Sequence, residues 1–131
     1  FIMASAPNLR YPDAPELEPT AVVNPEITWR SDSCETEWEG CLSIPGLRGN
    51  VSRSTAIHVR YFDIEGNQVE DELQGFPARV FQHELDHLDG KVFLDRVDSI
   101  DQIMSEHEFF NRIVRVVEPN GIETGMSPAG Q

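Results

Sequence analysis

The segment His83-Glu84-Leu85-Asp86-His87 constrains this chain more than any other stretch of it. Two imidazoles four residues apart share a face only when the backbone between them is helical, and there they come close enough to share one metal ion. The flanking residues meet that demand. From Gly75 to Gly90, apolar residues Phe76, Val80, Phe81, Leu85 and Leu88 recur at helical spacing, Pro77 sits where a first-turn proline is tolerated, and Gly90 is placed to end the helix. Glu84 flanks the pair without being needed as a ligand, so it is free to take a proton from water and pass it to a leaving nitrogen. An ion held there lowers the pKa of its water toward ~7. Histidines at this spacing also arise by chance on helix surfaces, but the glutamate between them and the apolar setting favour the metal.

Two histidines leave a catalytic metal one ligand short. The continuation H-E-x-x-H-x-x-G-x-x-H is excluded, because Gly90 stands at the glycine but Phe93 occupies the place of the third histidine. A downstream glutamate, Glu106 or Glu108, is one candidate. Cys41, a soft thiolate in a glycine-rich turn between predicted strands, is another, although a lone cysteine is more often a small buried hydrophobe. Spacing alone leaves that choice open.

Strand patterns fill much of the remaining chain. Between Ala56 and Phe62, Ile57, Val59 and Tyr61 alternate with His58 and Arg60, and the turn signal Asp63 to Asn67 predicts a hairpin returning along Gln68 to Leu73. His58 is then expected to face solvent. A short strand is predicted at Thr20 to Asn24, closed by Pro25. Pro7, Pro12, Pro15 and Pro19 predict irregular surface over residues 5 to 19. Polar, acidic Ser31 to Glu39 reads as a loop, Lys91 to Leu94 as a short exit strand, and Ile100 to Val116 as a helix interrupted by charge, in which His107 has no evident partner. The expected class is α+β, with antiparallel strands packed around a central helix that carries the histidine pair.

A length of 131 residues favours one domain. No apolar run approaches the ~20 residues of a membrane-spanning helix. The first seven residues lack the basic lead and apolar stretch of a signal peptide. Ten Lys+Arg against 23 Asp+Glu, a net charge of -13, disfavour nucleic acid and anionic membranes as direct ligands. Cys34 and Cys41 suit a reducing compartment, with Cys34 an exposed thiol, though a bridge between the two stays open at this point.

Glu39-Gly40-Cys41-Leu42-Ser43, taken with Gln82-His83-Glu84-Leu85-Asp86-His87-Leu88-Asp89-Gly90, resembles peptide deformylase, the family that removes the N-formyl group from newly made bacterial and organellar proteins. Two of the family's three motifs stand in the family's order, and the resemblance runs from about Ala21 to Leu94. It implies that Cys41, His83 and His87 hold the metal, natively Fe(II), with Zn, Ni or Co able to substitute. It also implies Glu84 as general acid/base and the Leu42 backbone N–H as an oxyanion donor. Gly40, Phe76 and Val80 fall at substrate-binding positions, the last two at the methionine side-chain pocket, and Arg48 at a structural one. Arg79 replaces an apolar residue near that pocket, with its stem expected to pack there and its guanidinium in water.

By the same resemblance, the substrates are N-formyl-methionyl nascent peptides and the setting is a bacterial-type cytoplasm or an organelle. Some relatives dock on the ribosome through a basic C-terminal helix. Residues 98 to 131 carry six acids and two arginines and offer no such surface.

The family's glycine-rich first motif, whose glutamine gives a second oxyanion hydrogen bond, has no counterpart, and Phe1-Ile2-Met3 resembles the strand that follows it. The expectation is a deformylase-like catalytic domain over residues 1–116, begun inside the family's domain, followed by a flexible tail over 117–131. Full metal binding with weakened or absent activity is expected of this chain alone, since one lost oxyanion donor costs ~10² to 10³ in rate. Two other readings stand beside it: a zinc endopeptidase with Glu106 or Glu108 as third ligand, and a non-catalytic metal-stabilised binding module. Cys41→Ser separates the first two. Elemental analysis is expected to show a large loss of bound metal in that variant, and unchanged metal would favour the endopeptidase.

Overall fold

The computed structural model describes residues 1–5, 16–41 and 43–114. Among the described residues, eight strands, β1 to β8 in chain order, span Ile2–Ser5, Leu17–Ala21, Val23–Arg30, Cys34–Cys41, Ile44–Ser54, Ala56–Phe62, Gln68–Gln74 and Ile103–Ser105. They form three antiparallel sheets, ordered β1-β2, β3-β6-β7 and β4-β5-β8. Helix α1, Phe76–Leu88, packs among them, so the fold is α+β as its patterns predict.

Alternation builds the β6–β7 hairpin. Ile57, Val59 and Tyr61 are buried while His58 is exposed, and the register runs from Ala56↔Gln74 to Phe62↔Gln68. Asp63 closes the turn by accepting the N–H groups of Glu65 and Asn67, at 2.9 Å each, and Gly66 supplies the positive φ of 87°. The buried face of this hairpin meets Ala78 and Phe81 of α1, together with Met3 and Val22. Phe1 caps that cluster with its ring edge-on to Phe81 at 5.4 Å. One face of α1 is thereby committed to the core, and the opposite stripe with His83 and His87 is left half-buried.

Several sequence expectations give way here. Pro25 does not end a strand but lies inside β3; Asn24 at φ 52° and a register shift between Val23 and Glu26 form an irregularity in an edge strand, where a missing donor is tolerated. Pro19 likewise belongs to β2, which among the described residues pairs with β1 alone. Residues 34 to 39 are strand rather than loop, because backbone pairing from Cys34↔Ser54 to Glu39↔Gly49 outweighs their polar side chains, most of which face solvent. Lys91 to Leu94 holds no strand. Phe93–Arg96 instead forms a 3₁₀ turn, with the Val92 N–H on the Asp95 carboxylate at 2.9 Å. The segment expected as one helix divides into a 3₁₀ turn (Ile100–Gln102), β8, a short helix α2 (Glu106–Phe109) capped by Ser105, and a π turn (Phe110–Val114). Pro7, Pro12, Pro15 and the expected tail over 117–131 lie outside the described residues.

Gly49 sits where β4, β5 and β8 meet the Phe93 turn. A β-carbon there would stand 2.8 Å from Val97 Cγ1 and 3.0 Å from the Phe93 ring. Phe93 is fully buried and has nowhere to retreat. Gly49→Ala is therefore expected to cost about 1–3 kcal/mol, as overpacking does in other cores, read as a lower urea midpoint at unchanged slope.

Candidate metal centre

Cys41 ends β4 at a tight reversal, paired with Ile44, just past a register shift that follows Glu39. From α1, His83 and His87 reach the same spot one helical turn apart. The Cys41 Sγ lies 3.3 Å from His87 Nε2, and His87 Nε2 lies 3.2 Å from His83 Nε2. All three ligand atoms fall within 4.8 Å of one another. Metal–sulfur and metal–nitrogen bonds of about 2.3 and 2.05 Å around a tetrahedral ion place neighbouring ligand atoms roughly 3.3–3.6 Å apart. The triad therefore fits one transition-metal ion, and its thiolate-plus-imidazole donor set suits Fe, Co, Ni or Zn over Ca or Mg.

Behind the triad lies a buried chain of charges. His83 Nδ1–H donates to Glu39 Oε1 at 3.0 Å, which fixes the tautomer and leaves Nε2 for an ion. Arg53 grips both Glu39 oxygens at 2.9 Å and reaches Asp86 Oδ2 with its remaining Nη1 at 2.7 Å. Asp86 also accepts two bonds from Arg96, at 3.0 and 2.7 Å. Glu39, Arg53 and Asp86 are each buried.

The pairings override the cost of burial. Burial alone would raise the Glu39 pKa, yet hydrogen bonds from His83 and Arg53 pull it down to about 2. Asp86 behaves likewise: burial raises its pKa, and Arg96 and Arg53 more than reverse that. Burial also works against the charged forms of Cys41 and His83. The Ser43 backbone N–H and His83 nonetheless bring the thiol below its ordinary value, while Glu39 and Cys41 raise that of His83.

Glu84 is half-buried beside His83, and its carboxylate makes no hydrogen bond or ion pair among the described residues. Leu42 lies outside the described residues. Gly40 packs flat on Arg48, where a β-carbon would meet Cδ at 2.9 Å. Arg48 in turn is buried, bonds Glu106 at 3.1 Å and covers the Phe109 ring at 4.7 Å. Phe76 borders a small cleft with Glu37, Thr55 and Arg79, whereas Val80 packs against the core. Arg79 departs from expectation. Its guanidinium turns inward to Glu39, because a buried carboxylate offers a charge-assisted bond that water cannot match there.

The alternative third ligands stand elsewhere: Glu106 is engaged by Arg48, and Glu108 by Arg112 at 2.9 Å. His107, expected to be alone, lies 3.1 Å from Asn111 Nδ2. Cys34 is exposed at the far end of β4 from Cys41, and seven strand steps of about 3.3 Å exclude a bridge between them.

Sequence reasoning missed Glu39, Arg53 and Asp86 as a supporting network. Two of the three were detectable. Glu39 stands two residues before Cys41 on a strand, and Asp86 three after His83 on a helix, spacings that place each on its neighbour's face. Arg53 has no such local tie.

The family model described as polypeptide deformylase matches residues 1–102. Peptide deformylase 2 of Nostoc sp. is 54% identical over 109 residues, 83% of this chain and 61% of that protein. Peptide deformylase 2 of Shewanella oneidensis is 51% identical over 108 residues, 82% of this chain and 60% of that one. Among solved structures, the class I type b peptide deformylase from Acinetobacter baumannii with Met-Ala-Ser bound superimposes with a TM-score of 0.71 at 50% identity, covering 73% of this chain and 60% of that chain. The chain thus spans about three fifths of the length of these relatives.

Removing Arg53 would leave two carboxylates buried and short of a cation. Arg53→Ala is expected to destabilise the metal-free protein by about 1–3 kcal/mol, the cost of stripping hydrogen bonds from buried groups that each keep a second cation, Arg79 for Glu39 and Arg96 for Asp86, measured by denaturant unfolding.

Proposed function

This chain belongs to the polypeptide deformylase family, and from that premise we propose that it hydrolyses the N-formyl group from the N-terminal methionine of nascent proteins and releases formate. The observation that carries the proposal is the convergence of Cys41 Sγ, His83 Nε2 and His87 Nε2 to within 4.8 Å of one another, next in sequence to Glu84, whose carboxylate makes no hydrogen bond or ion pair among the described residues. Members of the family are metal-dependent. In this reading Cys41, His83 and His87 hold Fe(II) natively, with Zn, Ni or Co able to replace it.

When bound, the ion supplies Lewis acidity, polarising the formyl carbonyl and making water nucleophilic near neutral pH. The remaining work falls to the chain. Glu84 takes the proton of the attacking water and returns it to the nitrogen as the C–N bond breaks, so formate and a free α-amine leave together. Glu39 holds the His83 ring in the tautomer that presents Nε2. The Leu42 N–H is assigned to the developing oxyanion, and Gly40, Phe76 and Val80 to the formyl-methionyl substrate. Substrates are met as nascent chains in a bacterial-type cytoplasm. No helix among the described residues is long and apolar enough to cross a membrane.

Glu84→Gln tests the assignment most directly. It is expected to keep its metal and lose about 10² to 10⁴ in the rate of formate release from formyl-Met-Ala, the range that general acid–base catalysis supplies. Elemental analysis and a formate-coupled assay on the metal-replete chain check the two halves. Parent-like turnover in Glu84→Gln, or a replete parent that liberates no formate, removes the proposal.

A further inference from the structure

We propose that Arg79 is a positioning residue of the metal centre: it locks the Glu39 carboxylate that orients His83, and so sets how tightly the ion is held. The inference rests on reading Cys41, His83 and His87 as the metal ligands.

A carboxylate has about four acceptor positions. On Glu39, Oε1 takes His83 Nδ1 at 3.0 Å and Arg53 Nη2 at 2.9 Å, while Oε2 takes Arg53 Nε at 2.9 Å and Arg79 Nη1 at 2.5 Å. Arg79 supplies the fourth bond. Arg53 by itself is a divided anchor, because its Nη1 is drawn to Asp86, and Asp86 is shared with Arg96.

Arg79 is anchored independently of that pair. Its Nη1 also donates to Val51 O at 3.2 Å, and its Nη2 donates to Glu35 O at 2.6 Å. One guanidinium therefore fastens the carboxylate to the backbones of β4 and β5, from a position one helical turn before His83 on α1. Those elements include both that carry the ligands. The side chain is only 12% exposed, so its bonds to Glu39 and Val51 act with little competition from water, while the one to Glu35 O lies at the surface. The terminal torsion of a glutamate is otherwise broad, and rotation there would carry the His83 Nδ1–H with it. Partners of this outer kind are worth 10- to 100-fold in metal affinity.

Co(II) titration of the purified chain provides the test, followed by the visible absorption of thiolate and imidazole ligation. Arg79→Met is expected to bind Co(II) at least ~10-fold more weakly than the parent, with altered visible bands and an unchanged far-UV circular dichroism spectrum. Arg79→Lys, whose ammonium still reaches Glu39, is expected to recover most of that affinity. Parent affinity and spectrum in Arg79→Met overturn the inference, as does Arg79→Lys binding no better than Arg79→Met. Should Arg79→Met fail to fold, Arg79→Gln is held to the same ~10-fold loss, and failure of both to fold makes Arg79 a residue of the fold alone. A parent that binds no Co(II) instead brings down the ligand assignment itself, which separates the two failures.

Discussion

The buried carboxylate of Glu39 is the point on which the rest of this site depends. Charge in an interior is tolerated only when paired and hydrogen-bonded, and Glu39 gathers Arg53, Arg79 and His83 around one group. Each of those partners enters from a different place. Arg53 comes from β5, while Arg79 and His83 come from successive turns of α1. The electrostatic demand of a single side chain thus fixes how the helix sits over the sheet. Networks of this kind are weak evidence for added stability, and what this one does visibly is tie α1 to β4 and β5.

Two faces of α1 divide the labour. Ala78 and Phe81 press into the core with Ile57, Val59 and Tyr61, while His83 and His87 stay half-buried toward Cys41. Asp86 lies between these roles, buried and clamped by Arg53 and Arg96. A helix so fixed on its apolar side has little freedom to tilt, which suits a centre whose ligand atoms must be held to within a few tenths of an ångström.

Legibility in the sequence followed the strength of local periodicity. Helix α1 and the β6–β7 hairpin were readable because burial imposed the 3.6- and 2-residue patterns on them. Strand β4 was hidden: its inner sheet neighbour supplies backbone bonds while Glu35, Glu37 and neighbouring polar side chains face water, so no apolar alternation marks it. Strand β8 is three residues long, and its pairing with Leu47 to Gly49 is set by tertiary contact. In the site, the motif residues were visible but their supports were not. Arg79 was read as reaching water because nothing local announces that a carboxylate from β4 waits above it. Long-range charge pairing leaves no trace in a one-dimensional pattern.

The position of Cys41 carries a chemical consequence of its own. The chain has two cysteines, and the strand that joins them holds them roughly 23 Å apart. Within these 131 residues an oxidised Cys41 therefore has no resolving thiol in reach, since Cys34 stands at the far end of the strand. A sulfenic acid left without a thiol or backbone nitrogen to condense with goes on to the irreversible sulfinic and sulfonic acids. Coordination by a metal would then guard the sulfur as well as use it, and loss of the ion in air would become a one-way event.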